Sequence, residues 1–113
     1  VLVSLTLIAK SLTSRAEDAL TQDHSRWMNT GEPFQIESFF FEGELIAGAC
    51  SKDCYDIDLT LYDTVTQTPV IQELSNTATP TIKAPYEGSF ILEVSMTNCA
   101  RSQGCRAWIQ SDI

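Results

Sequence analysis

The sequence predicts an all-β protein: an antiparallel sandwich of about seven or eight short strands, preceded by a short N-terminal helix or arm. Three observations carry this. Two segments alternate apolar and polar residues with a period of two: Ile57, Leu59 and Leu61 in one, Phe90, Leu92, Val94 and Met96 in the other. Turn signals punctuate the chain at intervals of roughly 8–12 residues. No helix-length periodic segment separates the strands, which argues against a parallel βαβ sheet.

The chain has 113 residues, 43% of them hydrophobic, a content suited to one domain with its own core. Residues 1–9 (VLVSLTLIA) are uncharged and mostly apolar. The run is too short to span a bilayer, which takes about 20 residues. It fits the apolar part of a secretory signal, with Ser14 and Ala16 offering small residues for cleavage, so 1–16 are expected to be a signal-peptide remnant. A strand or helix of the folded domain is the alternative. Residues 17–31 are polar, and Leu20, His24, Trp27 and Met28 fall roughly on one helical face, which predicts a short helix or arm.

The β domain is expected over 32–113. Gly31 and Pro33 break any helix. Residues 34–41 are aromatic-rich, Glu42-Gly43 turns the chain, and 45–50 form a short apolar run. In 56–62 Ile57, Leu59 and Leu61 face one way and Asp56, Asp58 and Thr60 the other, the signature of a half-buried strand. A Thr-rich loop at 63–69 leads to a strand over 70–74. A polar turn at 75–80 precedes a short β segment at 81–83. Pro85-Tyr86-Glu87-Gly88 turns again, 90–97 form the second strongly alternating strand, and 106–110 form the last.

The net charge is −8, from fifteen acids and seven Lys or Arg. This argues against nucleic acid, whose phosphates need clustered cations, and against docking on anionic lipid. Removing 1–16 takes away Lys10 and Arg15 and no acid, which deepens the negative charge. Catalytic signals are poor. His24 is the sole histidine, and its neighbours Asp23 and Ser25 cannot converge on it as a triad. No G-x-S-x-G, H-E-x-x-H or phosphate-binding glycine loop is present. The expectation is that the chain is not an enzyme.

The four cysteines form two close pairs, Cys50/Cys54 and Cys99/Cys105. A four-thiolate zinc site would favour C-x2-C knuckles, and the intervals here depart from that. Disulfides need an oxidising compartment, which an export signal supplies. Each pair brackets a polar connection that follows a strand, and local pairing is the expectation. A cross-pairing that ties the two loops together is the alternative. A local bridge closes a small loop worth roughly 2 kcal/mol, so it is expected to pin loop shape more than to hold the fold.

The stretch from Gly48 to Asp63 (GACSKDCYDIDLTLYD) resembles a family of uncharacterised secreted bacterial proteins whose segment reads G-x-C-D-x-D-C-x-D-[LI]-D-L-x-L-[YF]-D. A Pro-containing strand (80–84), a G-x-[FY]-x-[IL]-x-V-x-M segment (88–96) and a paired N-C…C end (98–105) follow as in that family. The D-[LI]-D-L-x-L-[YF] core is also similar to the bacterial pre-peptidase C-terminal domain. The resemblance implies a jelly-roll-like sandwich and a non-catalytic module of the periplasm or cell exterior. Its partner would be an unknown protein or glycan. The alternative is a stabilising appendage of an exported hydrolase or protease. Two departures are Ser51, where the family often has Asp, and a 64–68 loop without its usual Gly.

Asp53, Asp56, Asp58 and Asp63 gather beside the first cysteine pair. Hard cations want several carboxylate oxygens at close quarters, so Asp53, Asp56 and Asp58 are candidate calcium ligands. Collagen-binding modules related to the pre-peptidase domain bind calcium, which the resemblance adds. The ordinary role of such aspartates is to accept backbone N–H bonds and shape loops. No other cofactor is expected. The aromatics Trp27, Phe39, Phe40, Phe41, Tyr55, Tyr62, Tyr86 and Trp108 suggest a carbohydrate platform, with core packing the favoured role. Consecutive Phe39 to Phe41 cannot all face one side of a strand, which leaves one to face outward or meet a partner.

Overall fold

The computed structural model describes residues 25–112. The expected signal remnant at 1–16, most of the expected arm and His24 lie outside the described residues. Eight strands follow in order: β1 (Arg26–Met28), β2 (Pro33–Phe40), β3 (Leu45–Cys50), β4 (Cys54–Asp63), β5 (Pro69–Glu73), β6 (Thr81–Lys83), β7 (Gly88–Cys99) and β8 (Cys105–Asp112). They form two four-stranded antiparallel sheets, ordered β1-β8-β3-β6 and β2-β7-β4-β5.

Strand 1 pairs with 8, 2 with 7, 3 with 6 and 4 with 5, as if one long hairpin had been rolled into a barrel-like sandwich. This is the expected β-sandwich in its jelly-roll order. The chain changes sheet at every connection between strands except β4 to β5, which is a hairpin within one sheet.

The alternating strands behave as their period dictates. Ile57, Leu59 and Leu61 of β4 and Phe90, Leu92 and Val94 of β7 are all 0% exposed. They meet Ile46, Ala107 and Ile109 from the opposite sheet, with Phe40 and Ile36 closing one side. Burying such side chains is worth roughly 1.5–3 kcal/mol each and dominates the folding energy. Gly48 lies at an inward position of β3. A Cβ there would meet the Ile57 Cδ1 at 3.0 Å and the Pro80 Cγ at 3.2 Å, so the close approach of the chain needs its missing side chain.

The expectation of a helix or arm through residue 31 is corrected where the structure describes it. Residues 26–28 are β1, paired with Cys105–Ala107 of β8, so the folded domain begins before residue 32. A helix would put Trp27 and Met28 on one face. The strand puts them on opposite faces, with Met28 3% and Trp27 63% exposed. Three residues are too few to show a period of two, and the partner strand lies far along the chain.

Core packing as the main role of the aromatics is also corrected. Of the eight considered, Phe40 is fully buried, whereas Trp27, Phe39, Phe41, Tyr55 and Tyr86 are exposed. The core is filled instead by Phe90 and by aliphatic side chains. Phe39 and Phe41 cover each other edge to face, with ring centroids 5.2 Å apart.

Candidate functional site

The cysteines pair locally, Cys50 with Cys54 and Cys99 with Cys105. Sequence reasoning understated what these bridges do. Cys50 ends β3 and Cys105 begins β8, both in one sheet, while Cys54 begins β4 and Cys99 ends β7, both in the other. Each short bridge therefore staples the two sheets together. Both staples stand at the same end of the sandwich, because Cys54 and Cys99 are register partners. Ser51 extends this junction: its hydroxyl accepts the Arg106 N–H at 2.9 Å, and its own N–H donates to the Arg106 carbonyl.

The three candidate calcium ligands hold different posts. Asp53 adopts a left-handed backbone (φ 72°) in the turn between β3 and β4, a conformation Asp tolerates. Its carbonyl accepts the Ala100 N–H at 2.8 Å and so joins the two disulfide loops. Asp56 is 8% exposed. The 75–79 loop covers it: the Thr77 N–H donates to Asp56 Oδ1 at 3.3 Å. Asp58 sits two residues on, with Oδ1 buried and no described residue hydrogen-bonded to it. Burial first, and then the neighbouring Asp56 charge, raise its pKa above the usual carboxylate value, with the Thr97 hydroxyl pulling the other way. Among the described residues, no group of three or more His, Cys, Asp or Glu is placed to hold a metal ion. The structure therefore brings Asp56 and Asp58 together but not the trio.

A different arrangement occupies the outer face of the β2-β7-β4-β5 sheet. Register aligns Gln35 of β2 with Glu93 of β7 and Thr60 of β4, and in the next row Glu37 with Ile91 and Tyr62. The period of two that buries Leu92 and Val94 turns Ile91 and Glu93 outward. Glu93 accepts from the Gln35 amide at 3.4 Å and from the Tyr62 hydroxyl at 3.3 Å. The Glu93 charge first, and then burial, raise the Tyr62 pKa, which keeps the phenol protonated as a donor.

The β4–β5 hairpin supplies the wall. Asp63 Oδ1 accepts the Val65 and Thr66 N–H groups at 2.7 and 3.1 Å, and the Gln67 N–H donates to the Asp63 carbonyl at 2.7 Å. This closes a tight turn that leaves Gln67 in the left-handed region at φ 59°. A glycine would hold that conformation without penalty, whereas a residue with a Cβ pays roughly 1–2 kcal/mol. The β4–β5 register shifts at Leu61/Tyr62. Gln35, Tyr62, Gln67 and Ile91 together line an open concavity of about 370 Å³.

Sequence reasoning singled out Tyr62 as one of several aromatics but missed Gln35, Gln67, Ile91 and Glu93. The one signal pointing there was the missing glycine in the 64–68 loop. No protein-family model and no curated protein matches the chain.

Proposed function

We propose that this chain is a non-catalytic β-sandwich module of an extracytoplasmic compartment, and that it binds its ligand in the concavity on the outer face of the β2-β7-β4-β5 sheet. The observation that carries the reading is the joint lining of that concavity by Gln35, Tyr62, Gln67 and Ile91 from two strands, a hairpin turn and the central β7. Three polar side chains and one aliphatic one converge on this open concavity, and convergent polar groups are what fix a ligand's orientation. The two disulfides support an oxidising compartment. The resemblance to secreted bacterial modules points the same way.

Asp63 and Glu73 lie below their usual pKa because they accept hydrogen bonds, from Tyr86 first in one case and from Ser75 in the other. Both are committed to loop structure as ionised acceptors.

The test is a glycan and matrix-protein array probed with the folded, oxidised chain and with an Ile91→Arg variant. Ile91 is half-buried on the outer face, so the arginine would fill the concavity without entering the core. Array signals that vanish in the variant support the reading. Signals that survive it unchanged, or a silent array, count against it.

A further inference from the structure

We infer that the ligand of the concavity is a neutral saccharide, and that Gln67 is the residue that reads its hydroxyls; the inference rests on the binding role proposed above. The first argument is the backbone of Gln67. Its turn is held by Asp63, by the Asp63 N–H to the Thr68 carbonyl at 3.0 Å, and by the Thr66–Thr68 hydroxyl contact at 2.8 Å. None of these bonds uses the Gln67 side chain, whose amide is hydrogen-bonded to no described residue. A glycine would serve this φ 59° position with less strain. The side chain is thus superfluous to the turn, and the place it serves is the wall of the concavity. Backbone strain of this kind clusters at functional sites, and here it stands on the wall of the concavity.

The second argument is the chemistry of the lining. Two amides, Gln35 and Gln67, each offer a donor and an acceptor, the pairing that vicinal hydroxyls answer. The Tyr62 ring and Ile91 give an apolar surface for the C–H face of a sugar ring. Glu93 is turned toward Gln35 and Tyr62, so its role is to orient them. With the Gln35 amide N–H and the Tyr62 O–H directed at Glu93, the Gln35 carbonyl oxygen and the Tyr62 lone pairs remain to accept from a ligand. The concavity, about 370 Å³, lies within the usual range for small-ligand sites, roughly 300–1,000 Å³.

The experiment follows the side-chain amide signals of Gln35 and Gln67 and the Ile91 methyl by NMR. The oxidised chain is titrated with cellopentaose, xylopentaose, maltopentaose and N-acetylchitopentaose, and separately with pentalysine. The expected result is that at least one saccharide shifts all three probes and pentalysine does not. Gln67→Gly is expected to weaken that saccharide about tenfold or more while leaving Tm equal or higher, because it relieves the backbone strain. Silence of all four saccharides overturns the inference, as does a Gln67→Gly variant that binds like the parent. If pentalysine alone shifts the probes, the concavity binds a cationic peptide: the saccharide inference falls and the binding role stands. If the concavity answers neither these probes nor any array ligand, the binding role falls with it.

Discussion

The two ends of this sandwich are held by different means. At one end, two disulfides cross between the sheets, and Thr30 clamps Cys99 by accepting its N–H at 3.0 Å and donating to its carbonyl at 3.2 Å. The opposite end has no cysteine. There the Glu44 carboxylate, 8% exposed, accepts the Phe41 N–H at 2.8 Å and the Ser111 hydroxyl. The Tyr86 hydroxyl donates to Asp63. The Gly43 and Ala84 N–H groups close the remaining turns. The stapled end gains its order from covalent crosslinks that limit the unfolded chain. The open end depends on hydrogen bonds accepted by the Glu44 and Asp63 carboxylates, and those to Asp63 lower its pKa. The hairpin that walls the concavity starts from Asp63, so the candidate site draws on the second kind of stability.

The largest break in this comparison is loss of the staples. Cys50→Ser with Cys54→Ser, or Cys99→Ser with Cys105→Ser, should each cost roughly 2 kcal/mol, a Tm loss on the order of 10 °C per bridge. Hydrogen exchange checks the location: protection should fall first at 51–53 and 100–104. Faster exchange at 84–87 with no change in those loops would mean that the ends are not independent.

The matching break at the open end is Glu44→Ala. It leaves the Phe41 N–H and the Ser111 hydroxyl without their acceptor, and a cost of about 1–3 kcal/mol is expected in chemical denaturation. Gln at the same position retains an acceptor and should recover part of the loss.

Two aspartates sharpen the contrast by titrating in opposite senses. Asp58, nearer the staples, has its pKa raised above 3.8 in the fold. Its contribution to stability is present below pH 3.8 and is lost as pH rises through the raised value. Asp58→Asn mimics the protonated form. It should therefore stabilise the chain at pH 7 by less than about 1 kcal/mol and have no effect near pH 3, measured as Tm against pH. Asp63, at the open end, has its pKa lowered below 3.8. Its contribution is present above pH 3.8 and is lost as pH falls through the lowered value.

The smallest effect is Tyr86→Phe. It removes the first cause of that lowering, so the Asp63 pKa should move back toward its usual value in an NMR titration. The stability loss should be small and confined to pH above the Asp63 transition, because both groups are exposed. An Asp63 pKa that stays put would show that the Val65 and Thr66 N–H groups alone hold the carboxylate.

Much of the fold was legible because strand burial writes a period of two into the chain. The expected strands at 45–50 and 81–83 match β3 and β6 residue for residue, and β4 and β7 extend the two alternating segments by a few residues. Arg26–Met28 was not legible, since a three-residue edge strand carries no period and is defined by its partner. The site was barely legible. Gln35, Gln67, Ile91 and Glu93 share no motif, and they come together because two strands and one hairpin turn stand side by side.

The sequence by itself determined that this is an all-β acidic domain with two close cysteine pairs. Alternation, punctuation and charge are local properties, and local properties survive without a fold. Only the tertiary structure decided that the bridges join the sheets, that most of the aromatics considered face water, and that a strained glutamine walls a polar concavity. Those facts depend on which strands become neighbours, and strand neighbours are chosen by the whole core at once.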